Sequence, residues 1–155
     1  MRRIGLAVWV TGLAACAHSY IAGTQIPDTS DNREIYKILA TMRAALEAKD
    51  DKAILAVVSK RYFEDNGTTE QTDDYGYDEL ANKVLPESLG AAKELYVTFE
   101  VHDIAVEGEK AHADIRYASR ARLELPSGTL WDSHREFNRV ELAREGERWM
   151  VVSGL

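Results

Sequence analysis

Cysteine is almost absent from this chain of 155 residues, since Cys16 is its single example. One cysteine excludes a disulfide within the chain and a zinc site built from several cysteines. Positive charge is also in short supply: 19 basic and 26 acidic side chains give a formal net charge of −7. Such a balance argues against a nucleic-acid partner. No apolar run reaches the ~20 residues that a membrane-spanning helix needs.

The start of the chain has the pattern of a secretory signal. Two arginines follow Met1, and residues 4–15 form a short apolar stretch that ends in small residues. The sequence "LAAC" at 13–16 resembles the lipobox of bacterial lipoproteins. The resemblance implies a signal peptide over residues 1–15 and acyl chains on Cys16, which would anchor the protein to a membrane. The alternative is a chance cysteine in an ordinary signal peptide.

The lipobox resemblance also predicts a location. Ala17 follows the cysteine, where aspartate would favour retention in the inner membrane. We therefore expect a protein of the bacterial cell envelope, lipid-anchored to the outer membrane and facing the periplasm. Residues 16–30 are mostly small and polar, and they are predicted to form a flexible tether.

Helices are predicted in the first half of the remaining chain. Residues 35, 38, 39, 42 and 46 are apolar and share one helix face, after a start at Asp31 that resembles a capping box with Glu34. A second helix begins after Asp50 or Asp51. A third is expected over residues 77–85, ending near Pro86.

Strands are predicted after residue 93, where the apolar period becomes two. The apolar phase reverses between Val101 and Ile104, which predicts a β-bulge near His102 and Asp103. Further strands are expected over about residues 111–125, 131–143 and 149–152. The fold class is therefore α+β, with N-terminal helices packed on a curved antiparallel sheet.

This order of elements resembles the nuclear transport factor 2 (NTF2)-like superfamily, which includes ketosteroid isomerases, scytalone dehydratase and SnoaL-like cyclases. The resemblance lies in "ALEAKDDKAILAVVSKRYFEDNGT" at 45–68 and "ERWMVVSGL" at 147–155. It implies that residues 31–155 form a cystatin-like cone with a ligand pocket between helices and sheet.

The resemblance also points to candidate site residues. Asp65, in "FEDNG", matches the general-base aspartate of the isomerases, and Tyr62, Phe63 and Tyr75 are candidates for ligand contacts. The isomerases have a tyrosine donor where this chain has Met42, and methionine cannot donate a hydrogen bond. The alternatives are that Asp65 is a turn residue and that Tyr62 and Phe63 are core residues at a strand start.

Other polar residues do not form a recognised motif. The acidic segment 64–79 is read as a solvated loop, with a calcium site as the alternative. His102, His112 and His134 are read as ordinary strand residues. We expect no metal and no cofactor.

A row of arginines follows one face of the predicted sheet. Arg116, Arg120 and Arg122 share a phase, and Arg135 and Arg139 share a phase on the next strand. Such a face suits a homodimer, and the alternative is a solvated polar face.

These observations favour a non-catalytic domain that binds a small apolar ligand or a partner protein. The alternative is an isomerase or cyclase-like enzyme with Asp65 as its base. A third hypothesis is a structural role with a filled core.

Overall fold

The computed structural model describes residues 19–66 and 72–155. Helix α1 spans Ser30–Ala48 and buries its apolar stripe, including Met42. Its N-cap is Thr29, whose side chain accepts the Asn32 backbone N–H at 3.1 Å. Asp31 is therefore not the N-cap that the sequence predicted, because it lies within the first helical turn. Its carboxylate accepts instead from Arg144 and Trp149 of the sheet.

Short elements follow α1. Asp50 caps α2 (Asp51–Leu55), as predicted. Strands β1 (Phe63–Glu64) and β2 (Tyr75–Gly76) pair antiparallel. Next come α3 (Tyr77–Glu79), a π-helical turn (Leu80–Val84) and α4 (Leu85–Ala91).

The prediction that the third helix ends near Pro86 is wrong. The N–H of Leu85 bonds to the Leu80 carbonyl five residues back, and Pro86 stands at the start of the next α-helical segment. A proline is tolerated there because the first helical turn needs no N–H donor from it.

The main sheet is an antiparallel meander of four strands in the order β3-β4-β5-β6. The strands are β3 (Ala92–Glu107), β4 (Lys110–Leu125), β5 (Gly128–Glu145) and β6 (Arg148–Ser153). The predicted bulge is confirmed, because the pairing passes from Val101 opposite Ile115 to Asp103 opposite Asp114 and leaves His102 unpaired. The predicted α+β class is confirmed.

The helices cover one face of this sheet at one end. We call the covered end, where β6 lies, the closed end. Its inward side chains, such as Ala113, Ile115, Val140 and Leu142, are buried. At the other end, called the open end, residues 124–137 of β4, the hairpin turn and β5 are all exposed.

The chain before α1 is folded onto the domain from residue 19. Tyr20 pairs with Pro27 across a turn, and Ile26 is buried in the core. The domain therefore includes part of the segment predicted as a tether. Cys16 and the signal-peptide prediction lie outside the described residues. None of the described helices combines the length and the apolar character needed to cross a membrane.

Candidate functional site

A cavity of about 250 Å³ lies between the helices and the inner face of the sheet. Helices α1 and α4 supply apolar side chains on one side, and β3 to β5 supply the other side. The lining side chains are mostly aliphatic or aromatic: Met42, Leu46, Ile54, Leu80, Val84, Leu85, Leu89, Phe99, Ile115, Tyr117, Val140 and Leu155. A cavity with this lining favours small apolar molecules over large or strongly polar ones.

Polar groups reach the cavity mainly from β4 and β5. Tyr117, Glu136 and Asn138 line it from the sheet, and Ser88 lines it from α4. Tyr117 lies opposite Glu136 in the strand register. The Glu136 carboxylate is 3.0 Å from Nε2 of His134, which precedes it on the same inward phase. Among the described residues that line the cavity, Glu136 is the single charged side chain.

Residues 154 and 155 form part of the cavity wall, and a buried polar cluster holds them in place. The Glu64 carboxylate accepts the Gly154 N–H at 2.6 Å and the Tyr62 hydroxyl at 2.9 Å. The Tyr62 oxygen in turn accepts the Leu155 N–H at 3.1 Å, and the Tyr75 hydroxyl donates to the Leu155 carbonyl at 3.0 Å. Burial raises the pKa of both tyrosines above the ordinary value, so both hydroxyls stay protonated as donors.

The predicted contact residues therefore have different positions. Tyr62 is buried and Tyr75 is half-buried, with their ring centroids 6.1 Å apart. Both support the cavity wall through Leu155 rather than lining the cavity themselves. The Phe63 side chain is 55% exposed, so it is neither part of the core nor part of the cavity lining.

Asp65 lies in the turn after β1 and is exposed. It is not among the residues that line the cavity, whereas Met42 is. The next residue, Asn66, has a φ of 50° and donates from Nδ2 to the Asp73 carbonyl at 2.6 Å. Positive φ at an Asn is typical of a tight turn. The role of Asp65 as a base stays a prediction.

Sequence reasoning missed the polar stripe on β5. Val140 and Leu142 are buried on the inner face, so the same phase continues inward through Asn138 and Glu136. Polar residues at inward positions of a strand signal a cavity or an uncovered region. This signal was present in the sequence.

A second polar cluster lies on the outer face beside the bulge. Ligand atoms of Asp103, His112 and Asp114 lie within 4.8 Å of one another, a grouping that metals use. Both Asp114 oxygens, however, accept from Arg139, at 2.7 and 2.9 Å. The Arg139 guanidinium lowers the pKa of the Asp114 carboxyl. We therefore interpret this cluster as a surface ion-pair network.

The outer face of the open end carries exposed aromatic rings. Tyr96, Trp131 and Phe137 are 55, 40 and 77% exposed. Tyr96 stacks on Trp131 with centroids 6.2 Å apart, and Arg120 lies 4.4 Å over the Trp131 ring. Exposed aromatic and arginine side chains are enriched at protein interfaces.

No protein-family model matches the chain, and no curated protein matches it in sequence. Solved structures do match. The Kfla4162 protein from Kribbella flavida aligns with a TM-score of 0.68 at 15% identity, over 81% of this chain and 88% of that chain. A protein of the NTF2-like family from Streptomyces avermitilis, a candidate dehydratase, aligns with a TM-score of 0.66 at 10% identity, over 81% and 94%.

A candidate ketosteroid isomerase from Shewanella frigidimarina NCIMB 400 is also similar. It aligns with a TM-score of 0.57 at 17% identity, over 76% of this chain and 90% of that chain. At such identities the comparison shows the fold and not the activity. The described part of the chain therefore has the NTF2-like fold.

Proposed function

We propose that this protein is a lipid-anchored protein of the bacterial envelope whose domain binds a small apolar ligand without catalysing a reaction on it. The observation that carries the proposal is the apolar cavity of about 250 Å³ under the helices. Its size is close to the lower end of the range for ligand pockets, about 300–1,000 Å³. The anchor is Cys16, through the lipobox resemblance of residues 13–16.

The lining supports binding more than catalysis. Met42 lies in the cavity wall at the position where the resemblance places a tyrosine donor in the isomerases. A developing oxyanion needs a hydrogen-bond donor close to it, and the Met42 side chain has none. The exposed Asp65 does not line the cavity. The enzyme alternative therefore gains no specific support.

Native mass spectrometry of the full chain with Cys16→Ser tests the ligand proposal. This variant cannot carry the acyl chains, so any added mass reports a bound molecule. We expect a co-purifying small molecule, and we expect its loss in a Val84→Phe variant, which narrows the cavity. A bare mass for the chain, both as purified and after addition of small apolar compounds, would contradict the proposal and favour a filled core with a structural role.

Metabolic labelling with palmitate tests the anchor separately. We expect the label to be incorporated into the wild-type chain and to be absent from the Cys16→Ser variant. Label in neither chain would leave the ligand proposal standing and would remove the lipid anchor from it.

We also propose that the protein forms a homodimer through the outer face of the sheet. The exposed rings of Trp131 and Phe137 support this proposal, because buried aromatic and arginine side chains contribute strongly to interfaces. The same mass spectra count the subunits. A dimer that a Phe137→Ser variant dissociates is the expected result, and a monomer at all concentrations would contradict it. A different protein on this face is the remaining outcome, which cross-linking in the envelope would detect.

A further inference from the structure

The polar atoms that face the cavity are mostly hydrogen-bond acceptors. Asn138 donates one of its two Nδ2 hydrogens to the Gly154 carbonyl at 3.2 Å, which leaves its side-chain oxygen as an acceptor and one N–H as a donor. Glu136 contributes two carboxylate oxygens, which can only accept. The Ser88 and Tyr117 hydroxyls can donate or accept. A ligand with a donor at its polar end therefore matches this lining better than a ligand with an acceptor.

The charged groups around the cavity also favour a ligand whose polar end donates hydrogen bonds. Glu136 is the single charged side chain among the described lining residues. Asp132 continues its inward phase on β5. The His134 imidazole lies beside the Glu136 carboxylate, with its Nε2 atom 3.0 Å from the carboxylate oxygen. A carboxylate ligand would therefore meet like charge at the mouth of the cavity.

The arginines of the sheet do not offset this charge. Those on β4 and β5 other than Arg144 occupy the opposite phase, on the outer face, because successive side chains of a strand alternate between faces. Several are already paired there: Arg116 with Glu100 at 2.9 Å, Arg122 with Glu94 at 2.7 Å and Arg139 with Asp114 at 2.7 Å. Arg144 lies at the closed end, where it is paired with Asp31 at 2.6 Å. The two faces of one sheet thus differ in charge.

We infer that the cavity binds apolar amines, with the hydrocarbon part among the aliphatic side chains and the ammonium group at Glu136 and Asn138. The same lining discriminates against apolar carboxylates of equal size. This inference rests on the proposed function, because it assigns a ligand class to the cavity that we propose as the binding site. The ammonium group would contact a half-exposed carboxylate, since the Glu136 side chain is 48% exposed.

Three ligands with one hydrocarbon chain test the inference: octylamine, octanol and octanoate, titrated by calorimetry into the Cys16→Ser full chain. The expected order of affinity is octylamine, then octanol, then octanoate. Glu136→Gln is expected to weaken octylamine about fivefold, the upper range for an exposed ion pair, and to leave octanol unchanged. The substitution removes the charge and keeps the size of the side chain.

Glu141→Gln is the matched control. The chain carries a net charge of −7, so a general attraction for amines is expected from any acidic surface. Glu141 lies on the same strand as Glu136, at an exposed position on the opposite phase. Its substitution removes the same charge and is expected to change the octylamine affinity by less than about twofold at ordinary salt, where exposed charges are screened.

The outcomes separate the two proposals. Octanol binding with no preference for octylamine, or an equal loss in both variants, overturns the amine inference and leaves the binding function in place. If none of the three ligands binds, the amine inference fails, and the bound mass in the native spectra then decides whether the proposed function fails with it. A loss of octylamine affinity confined to Glu136→Gln supports both.

Discussion

Two tryptophans of the sheet each lie under an arginine side chain, but their exposure to solvent differs. Arg144 lies 4.4 Å over the Trp149 ring, and Arg120 lies 4.4 Å over the Trp131 ring. Trp149, on β6 at the closed end, is 1% exposed, whereas Trp131, on β5 at the open end, is 40% exposed. The Trp149 N–H groups are also bonded, the backbone to Glu34 and the indole to Asp31.

This comparison shows which end of the sheet holds the fold together. A cation over an aromatic ring contributes about 0.5–1 kcal/mol when exposed and about 2 kcal/mol when removed from water. The closed end therefore uses the pair for stability, because the helices exclude water there. At the open end the same pair leaves a large apolar ring in solvent, as expected of a surface that binds a partner.

The largest expected effect is the loss of Trp149. Trp149→Ala should reduce the free energy of unfolding by about 3–5 kcal/mol, because it leaves a cavity among buried side chains. Trp131→Ala should cost about 1 kcal/mol or less in the monomer. Urea denaturation of the two variants, in the Cys16→Ser chain, measures both values. Equal losses would contradict the distinction between the two ends. A Trp131→Ala effect that grows with protein concentration would show that the ring is buried in a dimer.

Gly154 gives the next largest effect. Its φ is 90°, and an added Cβ would overlap the Arg139 carbonyl oxygen and come within 2.9 Å of the Val140 Cα. Gly154→Ala should therefore lower the free energy of unfolding by about 2–3 kcal/mol and displace the cavity wall. Gly146→Ala is the control, with a φ of 65° and no atom within 4 Å of its Cβ. It should cost about 1 kcal/mol, and a Gly154→Ala loss no larger than this would show that the wall can shift.

Asp31 makes the closed end sensitive to acid. Its carboxylate accepts from Arg144 at 2.6 Å and from the Trp149 indole at 3.3 Å, and these bonds lower its pKa below 3.8. A carboxylate with a lowered folded-state pKa stabilises the fold above the unfolded-state value and loses that effect as the pH falls through the folded-state value.

Asp31→Asn should therefore cost about 1 kcal/mol at pH 7. The difference from the parent chain should shrink as the pH falls below 3.8, which denaturation at several pH values will measure. Asp28 is paired at 2.8 Å with Arg33, whose side chain is 58% exposed. It gives the control Asp28→Asn, with a smaller expected loss at pH 7 because solvent screens a pair with an exposed partner. A difference for Asp31→Asn that stays constant down to pH 2 would contradict the assigned role of the carboxylate.

The elements that the sequence predicted are those with a strong local period. Helix α1 followed from its apolar stripe, and the bulge at His102 followed from a phase reversal between Val101 and Ile104. Pro86 was misread because a π-helical turn leaves no periodic signal, so a proline at the junction of two helical segments looked like an end.

The cavity was harder to predict than the fold because its parts are distant in sequence. The Glu64 carboxylate accepts a hydrogen bond from Gly154, which is 90 residues away in the sequence, and no local pattern predicts that contact. The polar side of the cavity had a local signal, since Glu136 and Asn138 share the phase of Val140. The arginines on the opposite phase form a stronger charge pattern, which masked this signal in the sequence.

Asp65 gives the smallest expected effect. Asp65→Asn keeps the turn, since asparagine forms the same turns as aspartate, and its site is exposed and outside the cavity lining. We therefore expect the affinity for octylamine to change by less than about twofold, as for other exposed charges remote from a ligand, with Glu136→Gln measured beside it. A loss as large as that for Glu136→Gln would place the polar end of the ligand at the turn after β1. It would also revive the interpretation of Asp65 as a base, because a carboxylate must reach the ligand before it can take a proton from it.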